Sequence, residues 1–346
     1  WSGLLNSTGG AIKTEKSFWC MIDYKCIDGT WVYAPYQPYP LSVVQDGKTV
    51  LIPQRQVTDA DKTLGVYHSP AGGHHEHLRR LRGKVDDWLN LIKNGHLPPA
   101  LVWKSYRRQL WARIKYGLGT LTNSLAATEQ CLHDIDYTIL PLLNVNRHIR
   151  TGWRRLHQTF GGIGLLHLPT EQLICRLDIL QQHFATHSTV GKKLTCSLHW
   201  LQLQLGTNTN PICLDYSVWG PLACNCWWVE LWASLHGSGI QLSLRYDDLP
   251  PPRLGDVPVM KFLQERGVPM EDLIRINRCR NYLNILFLSD MVTADGKSLS
   301  LLLINHRPRP LYSALTFPRE EPTAADWRVW KQTWISHTLP HLRLPI

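Results

Sequence analysis

The sequence predicts a mainly helical α+β protein with a small antiparallel β region at its N-terminal end. Three observations carry this. Two Asp-Gly pairs separate strand-like runs within the first 52 residues, the apolar period becomes helical near residue 74, and prolines later interrupt the helical pattern without abolishing it.

The β-rich part comes first. Residues 18–27, then Asp28-Gly29, then residues 30–33 read as a hairpin, because both turn positions tolerate positive φ. Residues 41–45, Asp46-Gly47 and residues 48–52 repeat the pattern, with an irregular, proline-containing link at 35–40. Residues 57–67 close this part, and Leu64-Gly65-Val66 reads as a short strand with a tight Gly.

From residue 74 the spacing is helical. Leu78, Leu81, Val85, Trp88, Leu89 and Ile92 make one apolar stripe, and Gly95 ends it. Pro98-Pro99 starts a second helix with Trp103, Tyr106, Leu110 and Ile114 inward. A third runs through Leu121, Leu125, Leu132, Ile135 and Ile139. Gly161-Gly162-Ile163-Gly164-Leu165 is a glycine-rich bend, and Thr170 is expected to cap a fourth helix through Leu173, Leu177, Leu180 and Phe184. Beyond a boundary near 208–211 the helical pattern continues, broken at Pro250-Pro251-Pro252, Pro258 and Pro269. Asp256 and Thr323 are candidate N-caps, Asp295-Gly296 a turn, and Trp327, Trp330 and Trp334 one face of a last helix. The expected division is therefore 1–70 (β-rich), 71–207 (helical) and 208–346 (mainly helical, role unassigned).

The chain has 346 residues, 44% of them hydrophobic, which is enough for a sizeable core and excludes disorder throughout. It opens on Trp1 and ends on Ile346, and is read as a piece of a longer reading frame. No apolar run approaches the roughly 18 residues that cross a bilayer, so no membrane partner is expected. The nine cysteines are odd in number and scattered, which points to a reduced intracellular setting, nuclear or cytoplasmic.

Net charge is +10, and residues 79–115 hold ten Lys or Arg against Asp86 and Asp87. Arg79, Arg80, Arg82 and Lys84 fall largely off the apolar stripe, and Lys104, Arg107, Arg108, Arg113 and Lys115 occupy the other faces of the second helix. Either two neighbouring helices present cations to phosphates, with salt-sensitive affinity, or this is a solvated charged face. Arg147, Arg150, Arg154 and Arg155 form a second basic group around Trp153, which either stacks on bases or packs.

Other candidate chemistry is weak. The glycine-rich bend lacks the spacing of a phosphate loop. His74, His75 and His77, with Cys213, Cys224 and Cys226 elsewhere, lack zinc-ligand spacing, so no metal site is expected. Tyr246-Asp247-Asp248 is followed by three prolines that forbid a central returning strand, and reads as a solvated loop. Asp86-Asp87 on a helix points its carboxylates about 100° apart.

The order of these pieces resembles the C-terminal part of a retroelement reverse transcriptase. Trp1, Leu4-Leu5 and Thr8-Gly9-Gly10-Ala11, with Lys13 and Glu15-Lys16-Ser17, resemble the palm segment called motif D. Lys62-Thr63-Leu64-Gly65-Val66 resembles the primer grip, and residues 78–88 the first thumb helix. Asn146-Arg147 and Phe160-Gly161-Gly162-Ile163-Gly164-Leu165 resemble the end of the thumb in transposon-encoded polymerases. Arg275-Ile276-Asn277-Arg278-x-Arg280, Leu288-Ser289-Asp290 and Asp295-Gly296 resemble a downstream segment of some retroelement polyproteins.

The resemblance implies a palm end, a helical thumb-like bundle and a helical C-terminal extension of an RNA-directed DNA polymerase. It implies that Leu64, Gly65 and Val66 support a primer 3′ end and that Lys16 donates a proton to the leaving pyrophosphate. Arg79, Arg80, Arg82, Lys84, Lys104, Arg107, Arg108, Lys115, Arg147, Arg154 and Arg155 would track the phosphates of an RNA/DNA template–primer. The intact polymerase would use Mg²⁺, held by aspartates outside this chain. Two other expectations stand beside it: a stand-alone basic nucleic-acid-binding module without catalysis, and a helical protein-interaction scaffold.

Overall fold

A computed structural model describes residues 17–27, 30–34, 41–45, 47–63, 65–184, 186, 188–244, 246, 248–293, 297–305 and 321–337. Lys16, Leu64, Asp247 and the Asp28-Gly29 and Asp295-Gly296 turns lie outside these. The protein is α+β and mainly α, with three separate two-stranded antiparallel sheets preceding the helices.

The strands are β1 (Tyr24–Ile27), β2 (Thr30–Tyr33), β3 (Leu41–Gln45), β4 (Lys48–Ile52), β5 (Asp61–Thr63) and β6 (Val66–His68). The second hairpin takes its expected bounds, whereas the first strand covers only Tyr24–Ile27 of the expected 18–27; the registers next to the turns are Ile27↔Thr30 and Gln45↔Lys48. The third differs from the sequence reading. Thr63 pairs with Val66, so Val66 opens β6 and Gly65 lies in the turn before it rather than in a strand. Gly65 has φ +93°, which no strand residue adopts.

The helices are α1 (His75–Asn94), α2 (Pro99–Ser105), α3 (Trp111–Lys115), α4 (Leu125–Leu142), α5 (Thr151–Arg155), α6 (Leu168–Ile179), α7 (Thr189–Leu205), α8 (Tyr216–Trp219), α9 (Trp227–Gly237), α10 (Val259–Glu265), α11 (Met270–Leu283), α12 (Leu301–Asn305) and α13 (Ala324–Ser336). The α1 stripe is buried as its spacing requires, except that Leu78 is half-buried and His77 is buried in addition. Gly95 closes α1 in a right-handed conformation, and it is His96 that turns left-handed, at φ +45°. The cap of α6 is His167 rather than Thr170, whose hydroxyl meets the His167 ring at 2.9 Å. Asp256 is likewise no helix cap: it accepts from the N–H groups of Val257 and Ser289, and Pro258 precedes α10. Thr323 does cap α13, in a reciprocal box with Asp326.

Two compact units divide the chain differently from the expected 70 and 207. The first comprises Trp1–Gly117 and Cys131–Arg147; the second, Leu118–Gln130 and His148–Ile346. The first holds the hairpins, α1, α2 and α3. The second is built on one continuous core from Leu173 to Trp334, in which Trp228, Trp232, Trp330 and Trp334 are almost wholly buried. Helices on both sides of residue 208 share that core, because α7 and α9 pack together and Trp228 donates its indole N–H to the Leu194 carbonyl at 3.0 Å. No helix among the described residues is long and apolar enough to cross a membrane.

Candidate nucleic-acid interface

The first unit carries most of the residues expected to meet phosphate. On α1 the spacing Glu76-x-x-Arg79-Arg80 puts one carboxylate within reach of two guanidiniums. Arg79 donates to Glu76 through Nε and Nη2 at 2.7 and 2.6 Å, and Arg80 through Nε at 2.8 Å. These hydrogen bonds hold the Glu76 carboxyl down to about 2, well below the usual carboxylate range. Arg82 bridges Asp86 at 3.1 Å and Asp134, on α4, at 2.6 Å, which raises its guanidinium further. Three of the four α1 cations expected to track phosphates are thus matched by carboxylates. Glu76 sits three residues ahead of the basic stretch 79–115, and Asp134 is 52 residues from Arg82. Only the first of these was readable from spacing.

The second helical segment is different. Pro98 is extended and Pro99 takes the first helical position, so α2 starts where proline costs nothing. At Tyr106–Leu110 the helix widens into a π turn, closed by the Trp111 N–H on the Tyr106 carbonyl, before continuing as α3. The extra residue places Tyr106, Leu110, Trp111 and Ile114 all inward, each buried. Trp88 of α1 locks this geometry. Its indole N–H donates to Ser105 Oγ at 2.9 Å, and its ring lies 6.3 Å from that of Tyr106.

The opposite face therefore has to hold the polar residues. Lys104, Arg107, Arg108, Arg113 and Lys115 are all exposed. Lys104, Arg107, Arg108 and Arg113 have no carboxylate partner among the described residues; Arg107 lies 5.8 Å from the centre of the Trp103 ring, a cation–π contact. Lys84 on α1 is also exposed, without an ion pair among the described residues. Lys104, Arg107 and Arg108 occupy i, i+3 and i+4 positions, one patch across the π turn.

The turn expected to support a primer end sits in the same unit. A Cβ on Gly65 would come 2.8 Å from the Tyr116 ring, and one on Gly117 2.7 Å from Val66. Glycines at both positions let β6 lie directly on the segment after α3. The β6–α1 link is His77, whose Nδ1 accepts from the Tyr67 N–H at 3.2 Å. Burial, with Lys84 and His74 adding, holds the His77 imidazole down to about 4, so the ring is neutral at neutral pH.

In the second unit, Arg154 is turned inward rather than towards a phosphate backbone, contrary to expectation, and Arg155 is half-buried. Arg154 is buried and donates to the Ile149 carbonyl at 2.8 Å; Arg155 donates to the Leu166 carbonyl at 2.6 Å. Arg155 thereby anchors Leu166 beside the glycine-rich bend, where a Cβ on Gly162 would lie 2.0 Å from the Leu156 carbonyl oxygen. Arg147 is exposed, at the end of the first unit.

Arg280, within the downstream motif, is 2% exposed. It donates to Asn277 Oδ1, to the Ile285 carbonyl at 2.7 Å, and to the Leu203 and Gln204 carbonyls at 2.9 and 2.7 Å. These last two belong to the final turn of α7, so a buried cation satisfies a helix C-terminus. Burial pushes its guanidinium down to about 9, still protonated at neutral pH. Tyr246 donates to Gln202 at 2.9 Å and Asp248 accepts from the Asn210 N–H, so both brace a loop. No cluster of three or more His, Cys, Asp or Glu able to hold a metal occurs among the described residues. No protein-family model, curated protein or solved structure matches this chain.

Proposed function

We propose that this chain is the nucleic-acid-gripping part of a retrotransposon RNA-directed DNA polymerase, holding template–primer through the outward face of the α2–π–α3 segment. The observation that carries the reading is the set Lys104, Arg107, Arg108 and Arg113: exposed, grouped, and without carboxylate partners among the described residues. Uncommitted cations release counterions on binding phosphate, whereas Arg79, Arg80 and Arg82 would first have to leave their acids. The motif order from Gly9-Gly10 to Leu165 assigns the polyanion to template–primer. On this reading Leu64, Gly65 and Val66 support the primer 3′ end, Lys16 approaches the leaving pyrophosphate, and the setting is intracellular.

Fluorescence anisotropy with a labelled RNA/DNA hybrid tests it, using a recessed 3′ primer end against a blunt end of equal length. The expected result is tighter binding to the recessed end, with affinity falling steeply as salt rises. The triple variant K104E/R107E/R108E should flatten the dependence of log Kd on log salt by about 3. Equal affinity for the two ends would instead favour a stand-alone basic module. Negligible binding at low salt would favour a protein-interaction scaffold.

A further inference from the structure

Helix α5 and the segment after it show two large aromatic side chains to solvent from a backbone held by several hydrogen bonds. Trp153 is 50% and Phe160 73% exposed, in a unit whose other tryptophans largely form its core. Neither ring meets another aromatic ring among the described residues, and a Cβ on Gly161, immediately after Phe160, would come within 3.9 Å of the Trp153 ring. The backbone that presents them is held at many points. Ile163 N–H donates to the Trp153 carbonyl at 3.0 Å, Leu165 N–H to the Arg154 carbonyl at 2.8 Å, and Phe160 and Gly162 N–H both to His157. The Arg154 and Arg155 side chains, bonded to Ile149 and Leu166, brace it from behind. Residues 148–170 contain three arginines and no Asp or Glu. Arg150, exposed at the N-terminal edge of α5, has no carboxylate partner among the described residues.

Exposed, rigidly mounted aromatic faces in a segment free of carboxylates suit unpaired bases, whose rings stack while their phosphates meet the cations. We infer that Trp153 and Phe160, with Arg150, form a sequence-tolerant stacking site for single-stranded nucleic acid. The site lies in the second unit.

The test compares two single strands of about 12 nucleotides, one carrying bases and one abasic throughout, with identical phosphates. The full chain should bind the base-bearing strand at least about tenfold more tightly. W153A/F160A should abolish that ratio while leaving affinity for the abasic strand unchanged. W153F/F160Y, which keeps aromatic faces, should preserve it. K104E/R107E/R108E should weaken both strands alike and leave the ratio intact, which separates this site from the template–primer grip. Equal binding of both strands by the unaltered chain would overturn the inference, as would a ratio that survives W153A/F160A.

Discussion

Single residues here bear constraints that their chemical type does not announce. Gly65 combines φ +93° with a Cβ position 2.8 Å from the Tyr116 ring. Gly65→Ala is expected to destabilise the first unit by about 1–3 kcal/mol, since left-handed strain and a ring displacement add. A lowered urea midpoint by circular dichroism would measure this, and an unchanged midpoint would contradict the turn geometry. Arg280 is the counterpart in the second unit. Arg280→Met leaves the Leu203, Gln204 and Ile285 carbonyls short of their donor, and at least about 3 kcal/mol of stability should be lost. Arginine in a helix reads as a surface residue from sequence, so neither Arg280 nor Arg154 was recognisable as interior. Burial of a cation depends on carbonyls contributed by distant segments.

At the level of elements, local signals served well where one segment contains its own instructions. The second hairpin was legible from alternation and Asp46-Gly47, and α1 from its apolar stripe. The third hairpin was misread because strands of three residues show almost no periodicity, leaving only the Gly to mark the turn. The α13 cap was legible for the same local reason. Thr323→Ala should cost about 1 kcal/mol and should also weaken the hold on Asp326, whose other carboxylate oxygen lies 3.7 Å from Arg278. Thermal unfolding followed by circular dichroism would detect the loss. In α1, charge alone overstated the exposed cations, because Glu76 and Asp134 neutralise what a count over residues 79–115 left positive. R79E/R80E/R82E should therefore reduce the salt slope of nucleic-acid binding less than K104E/R107E/R108E does.

For the molecule as a whole, the mainly helical fold with a β-rich start was readable, whereas the division into units was not. A boundary drawn from composition at residue 208 cannot register that helices on both sides contribute to one core. Acid response should differ between the units. His77 has a folded-state value near 4 against an ordinary 6.5. Its contribution is complete above pH 6.5 and is lost as pH falls towards 4, because the unfolded chain takes up the proton first. The first unit should lose about 2 kcal/mol between neutral pH and pH 5 from this residue. Urea titrations at the two pH values would show it, and His77→Gln should flatten the difference.

The hairpins bear on handling as well as on architecture. Each pairs only with itself among the described residues, and on β3–β4 Val44 and Leu51 are 72% and 63% exposed. Open strand edges flanked by apolar side chains are templates for intermolecular pairing. Concentrated protein should accordingly self-associate through this hairpin, giving a light-scattering signal that grows with time. V44K, which places a charge beside the edge, should suppress that growth without altering the circular dichroism spectrum.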